Sequence, residues 1–415
     1  MVDKRIGLME AVIDKKELFL EQFRVSEGLS GESIAAQKAL HNLDFPSTRD
    51  EYWKYTRLTK IQNSRFSLEE STEDIAIESI NEDAAHLNCI NGFFRELIGE
   101  LPEGVSITPL EQVNTSLIEY QHEFFAALNT AYFTPGIKIT VDSGVVMEKA
   151  LQLNFANSAS NLQAQPRVEI KVAKNASAQF ILNFQNHGNT GNFWNVVSEM
   201  KVAQNAELNI HQLQQGGDEN FLVNTTAVQQ KRDSRFAIHT ICLEGKILRN
   251  NLNIAVEGEN CETKLNGVYL ASGSEHFDNH TYVDHIAPNC NSSENYKGII
   301  DDKATAVFNG KVMVQPDAQK INAFQSNQNI LLSDDATINS KPELEIYADD
   351  VLCSHGSTTG QLDEEAVFYL RTRGVSEISA KKMMIRAFVF EVLEEIKLES
   401  FRTHIEDLID EKFKV

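Results

Sequence analysis

The chain has 415 residues, 42% of them hydrophobic, and a formal net charge of −22 from 60 Asp and Glu against 38 Lys and Arg. That length predicts two or three structural regions around a sizeable core. The acidity excludes a broad nucleic-acid surface and docking on anionic membrane, both of which need basic patches.

No apolar run approaches the ~20 residues that span a bilayer. The N-terminal MVDKRIGLMEAVIDKKELFLEQF breaks its apolar positions with charges, so no secretory signal is expected and a soluble, cytoplasmic protein is. Cys89, Cys242, Cys261, Cys290 and Cys353 are widely spaced, with no CxxC. That pattern argues against a disulfide framework or a closed four-cysteine zinc site and fits a reducing compartment.

In chain order, residues 1–135 read as an N-terminal helical region with a small β-hairpin unit. Leu8, Val12, Leu18, Leu20 and Phe23 recur at three- and four-residue steps. Pro46 and Ser47 open a short helical stretch containing Trp53 and Tyr55. His86 to Ile90 is a predicted strand, Asn91-Gly92 a hairpin turn, and Phe93 begins the return. A helix is expected over about 115–132.

Residues 136–350 change period. Ile137, Ile139 and Val141 alternate with polar residues, as do Val168, Ile170 and Val172. KVAKNASAQF at 171–180 returns as KVAQNAELNI at 201–210. Small residues continue the pattern at Ala176, Ala206, Ser234, Cys261, Cys290, Ala304, Ala318 and Ala336. Of 34 Asn, 27 lie between 151 and 345, and Asn suits turns and stacked ladders rather than helix interiors. A repeat of this size with no room for a helix predicts stacked strands, a parallel β-helix whose coils each hold two strands. Its ends would expose unpaired edges, and the helical segments on both sides are expected to cap them.

Residues 341–374 carry the densest chemistry, KPELEIYADDVLCSHGSTTGQLDEEAVFYLRTRG. Leu344, Ile346 and Ala348 read as a last strand, and Asp349-Asp350 as a turn rather than a general-acid pair. Cys353 and His355 are two apart, so an extended segment points both to one side. A thiolate and an imidazole there suit a soft metal, or a nucleophile with its base. A buried small residue and a hydrogen-bonded His explain the same pattern. His276, His280 and His285 do not converge in a strand, because His285 faces the other side. Cys261 and Cys290 read as small structural hydrophobes, as do Cys89 and Cys242.

Residues 351–415 read as a C-terminal helical domain. Met383, Met384, Ala387, Phe388, Leu393 and Ile396 form an apolar stripe, and a second helix follows at about 401–412. The stripe reads as packing, internal or partner-facing, rather than as a cofactor box.

The 341–374 segment resembles the signature of the SufB/SufD family of the SUF iron–sulfur cluster assembly system: KPxLEIxADDVxCSHG, then GxxD, then FYLxxRG. FPSTRDEYWKYT at 45–56 and HIAPNCNSSENYKGIIDDKATAVFNGKVMV at 285–314 resemble further family segments. Thr359-Gly360-Gln361-Leu362-Asp363 and Leu370 look like the SufD branch, and Ser357 departs from the usual Ala. The resemblance implies a mainly β fold, a right-handed parallel β-helix core flanked by N-terminal and C-terminal α-helical regions. It implies a non-catalytic scaffold that pairs with SufB through the β-helix, with its C-terminal helices docking the SufC ATPase. It also implies a transient iron–sulfur cluster or iron at the SufB interface, held in part by His355 and Cys353, and no stable cofactor. Met383, Met384, Ala387 and Phe388 are the expected SufC-facing residues. A homodimer is expected when the chain is alone.

The competing class is a β-helix carbohydrate-active enzyme, a lyase or hydrolase. Such enzymes are commonly secreted and bind sugars through clustered aromatics, whereas Trp53 and Trp194 lie far apart here. Residues 251–350 contribute −10 to the charge. A block of that sign steers cations toward the adjoining segment, and reads equally as a solvated face.

Overall fold

The computed structural model describes residues 15–23, 31–70, 75–77, 79–81, 84–113, 117–185, 187–217 and 219–412. Leu8 and Val12 lie outside them. Among the described residues two sheets of ten strands each face each other, and the chain alternates between them from Leu151 onward, the two-residue strand Gln163–Ala164 being an extra on the second sheet. Apart from one antiparallel pair at the first end of each sheet, neighbouring strands are parallel and in register: Phe180 stands beside Ile210, Ile210 beside Ile238, and Ile238 beside Leu265. This is the parallel β-solenoid that the thirty-residue repeat predicts.

The corners explain the asparagines. Asn175, Asn205, Asp233, Asn260 and Asn289 all have φ between 55° and 61°, the left-handed region that Asn and Asp tolerate best among residues with a Cβ. Asn205 donates to Asn175 at 3.0 Å, and Asn260 to Asp233 at 2.9 Å, so the corner residues form a ladder. Each is followed by a buried small residue: Ala176, Ala206, Ser234, Cys261 and Cys290. These five stack in one column. Ala304 and Ala336 belong to the opposite corner, which is why the spacing halves there.

Inward residues such as Phe155, Phe180, Phe184 and Trp194 build one core between the sheets. The outer face of each sheet is covered separately. Phe193, Val197, Phe221 and Val223 pack beneath N-terminal segments that include Phe19, Trp53 and helix Phe124–Tyr132. Ile181, Leu213, Ile241 and Val268 pack beneath helices Glu377–Glu394 and Glu399–Lys412. The helices therefore cover faces rather than ends, because outward-facing aliphatic residues leave apolar stripes there. The expected N-terminal helix over about 115–132 shortens to Phe124–Tyr132, whose N-cap is Glu123. A further helix, Glu364–Thr372, precedes the expected two in the tail.

The first end of the solenoid is closed by antiparallel strands. Phe93–Ile98 folds back on His86–Ile90 through Asn91-Gly92, as the hairpin signal predicts. Val105–Leu110 caps the other sheet by pairing with Gly136–Val141.

The FPSTRDEYWKYT segment is a clasp. Trp53 is buried with the Arg249 guanidinium 4.3 Å from its ring centroid. Arg249 donates to the Tyr52 carbonyl at 3.0 Å and pairs with buried Asp278. Thr56 donates to Asp278 and lies 2.8 Å from His276 Nε2. Burial alone would raise the Asp278 carboxyl, but Arg249 and His280 more than offset it and hold it well below the usual aspartate range. The stabilisation is thus present above the ordinary aspartate pKa and is lost as pH falls through the lowered one. Asp278→Asn strands a buried guanidinium and should cost about 3–5 kcal/mol, read as a lower urea midpoint at neutral pH. The deficit should shrink below pH 3. An unchanged midpoint would show that the clasp is not held by this pair.

Candidate functional site

The other end of the solenoid is open. Among the described residues, Val351–Gln361 is the last strand of its sheet and pairs along one side only, with Ile321–Leu331. Thr337–Ile346 ends the other sheet. The strand expected to be last is therefore followed by one more, and the tail helices begin at Glu364 rather than at residue 351. Ser340 and Ser357 hydroxyls, 2.7 Å apart, tie the two edge strands together. The edge is flanked by unusual apolar exposure: Leu352 is 67% exposed, Tyr347 61% and Phe324 52%.

Cys353 and His355 lie on this edge strand. Cys353 stands opposite Ala323 and packs partly into the inter-sheet core. His355, two residues on, shares that inward-facing side, opposite Gln325, and is exposed because no further rung covers it. Burial raises the Cys353 thiol, and the Ala323 N–H opposes the rise. Among the described residues, no group of three His, Cys, Asp or Glu side chains could hold a metal ion. Cys353 and His355 form at most part of a ligand set.

Behind His355 the interior turns polar. Gln325 is buried and donates to Glu294 at 2.7 Å. Burial pushes the Glu294 carboxyl up to about 7, against the hydrogen bond that Gln325 donates. Beside this column, Asn327 donates to Tyr269 at 2.8 Å, and Asn329 donates to Asn327 at 2.7 Å. Gly298 leaves the space that the Tyr269 ring fills, since a Cβ there would meet it at 2.1 Å. Sequence reading missed these residues. The signal was present: Glu294, Gln325 and His355 recur about one coil apart, at one position of the repeat.

The remaining candidates are placed elsewhere. Cys89, Cys242, Cys261 and Cys290 are buried, the last two at one corner within 3.2 Å of the Gly258 carbonyl. His276 and His280 share the outer face, but Thr56 and Asp278 engage them beside Arg249, a cation that opposes a metal ion. His285 is inside, 2.9 Å from Ser292. In helix Glu377–Glu394, Ile385, Val389, Val392 and Leu393 face the solenoid. Met384 and Phe388 are half-buried, and the Lys297 ammonium lies 5.0 Å from the Phe388 ring centroid. Met383, Ala387 and Phe390 are exposed along the opposite stripe.

No helix among the described residues is long and apolar enough to cross a membrane. Residues 155–388 match the family model described as SUF system FeS cluster assembly, SufBD core domain. The chain is 31% identical to the iron–sulfur cluster assembly protein SufD of Escherichia coli, over 90% of this chain and 91% of that one. An iron–sulfur cluster assembly SufBD family protein of Synechocystis is 30% identical, over 90% and 89%. SufD of Bacillus subtilis is 24% identical, over 95% and 96%. The matched core runs from strand Leu151–Ala156 past the Cys353–His355 edge into helix Glu377–Glu394, and the chain belongs to the SufB/SufD family of SUF-system iron–sulfur cluster assembly proteins.

Proposed function

We propose that this chain is the non-catalytic SufD-type subunit of a SufB–SufC–SufD complex, in which nascent clusters assemble against its open solenoid edge. The supporting observation is the edge itself. Val351–Gln361 presents unpaired backbone groups, a flanking apolar patch, and His355 with Cys353 on one side. A SufB-type solenoid adding its own edge would cover those groups and supply the missing ligands. Iron or a nascent cluster is then cargo shared across the interface, and His355 and Cys353 are this chain's contribution to holding it. ATP hydrolysis belongs to the SufC-type partner.

The docking face for that ATPase is the outer stripe Met383, Ala387 and Phe390, which the solenoid leaves uncovered. Met384 and Phe388 support it from beneath rather than forming its surface. Without SufB, the same open edge would pair two copies of this chain.

His355→Ala should leave the helical and strand content and the SufB and SufC copurification unchanged, while lowering cluster yield at least about tenfold. Normal cluster yield would remove His355 from the site, and failure to copurify the wild-type chain would overturn the scaffold reading. The double variant Met383→Asp, Phe390→Asp should lose SufC while keeping SufB and its helicity. Retention of SufC by that variant would place the ATPase on another face.

A further inference from the structure

We propose that Gln325, oriented by Glu294, positions the His355 imidazole by accepting a hydrogen bond from one ring N–H, so that the other ring nitrogen is presented bare at the open end. The inference rests on the reading of His355 as a ligand, and it concerns two residues that would never touch the cargo.

The three side chains occupy one position on three successive strands. Glu294 stands beside Gln325, and Gln325 beside His355. Neighbouring strands are about 4.8 Å apart, so each side chain lies against the next. The Gln325 Nε2 donates to Glu294 Oε2 at 2.7 Å, which commits the nitrogen side of the amide to the interior. Its Oε1 is buried and has no hydrogen-bond partner among the described residues. A buried carbonyl oxygen left unpaired forfeits its hydration with nothing in return, so the site is built for a donor. The next side chain toward the open end on that face is His355.

The opposite sheet fixes the amide from the other side. A Cβ at Gly310 would stand 2.0 Å from Gln325 Nε2 and 3.0 Å from its Cδ. Gly310 therefore makes the room in which Gln325 lies. An ionised Glu294 accepts only, so it favours the amide nitrogen inward and Oε1 outward. A neutral imidazole carries one proton, and the hydrogen bond at one nitrogen decides which nitrogen is left to bind. Metal-bound histidines characteristically donate from the other ring nitrogen to an oxygen acceptor, and Gln325 Oε1 supplies one.

The test is the His355 tautomer, read from imidazole ¹⁵N shifts in the full chain with labelled histidine at pH 8, the signal being assigned by its loss in His355→Ala. The wild-type ring should show one dominant tautomer. Gln325→Leu removes the acceptor and should give a mixture. Glu294→Gln frees the Gln325 amide to turn over and should do the same. The exchange variant Glu294→Gln, Gln325→Glu puts a carboxylate directly beside His355 and should restore a single tautomer. This variant keeps the total charge and side-chain volume, so it remains informative if Gln325→Leu fails to fold. In the complex, cluster yield should fall in the two single variants and recover in the exchange variant. A tautomer ratio that is the same in wild type, Gln325→Leu and Glu294→Gln would overturn the inference, even if His355→Ala abolishes assembly. A ratio that shifts as expected while His355→Ala assembles clusters normally would leave the positioning intact and refute the ligand reading instead.

Discussion

A parallel solenoid satisfies each strand's backbone by stacking the next coil on it, so its terminal coils are left with unpaired N–H and C=O groups. The two ends of this molecule treat that constraint differently. At the first end, antiparallel strands fold back and use those groups within the chain. At the last end, Val351–Gln361 keeps one side free, and the helices that follow pack on a face instead. A long uncovered edge invites association unless it is blunted. Here Phe324, Tyr347 and Leu352 add apolar surface to it. The position of His355 follows from this asymmetry, because it lies on the terminal parallel rung of its sheet at the end that no antiparallel strand closes.

The interior changes along the same axis. Early coils are filled by Phe155, Phe180, Phe184 and Trp194. In the middle coils Gln212, Gln214, Asn224, Asn250 and Asn279 bond between the sheets and across the rungs, and toward the open end Tyr269, Asn327, Asn329, Glu294 and Gln325 bond across the rungs beside Phe277 and Phe308. A polar interior costs stability unless its groups are paired, and it specifies side-chain orientation when they are. Oriented polar groups thus run from the middle of the solenoid to the rung behind His355, within an interior that stays apolar around them.

The repeat was legible because its causes are local. A left-handed corner wants Asn, the residue after it is buried and small, and the strands between alternate. Ala176 through Cys290 follow from that rule alone. The covering of the sheets was less legible. Arg249 meets Tyr52 across 197 residues, and nothing near either position signals the contact. The tail helices were expected at an end, yet Ile181, Leu213 and Val268 draw them onto a face. Val351–Gln361 was the least legible strand. Ser354, Gly356, Ser357, Thr358 and Gly360 bury little, so no alternation marks it, and pairing with Ile321–Leu331 alone makes it a strand. Cys353 and His355 were identifiable by type and spacing. That Gln325 and Glu294 stand in line behind His355 becomes visible only once the coil register is known.

The central claim is that the open edge is completed by a partner solenoid. Amide hydrogen exchange of this chain, alone and with a SufB-family partner, tests it most directly. The edge-side amides of 351–361 and 337–346 should exchange rapidly in the isolated monomer and become protected in the complex, while strands 177–185 and 207–215 stay unchanged. A complex that forms with no gain of protection at either edge strand would contradict the account.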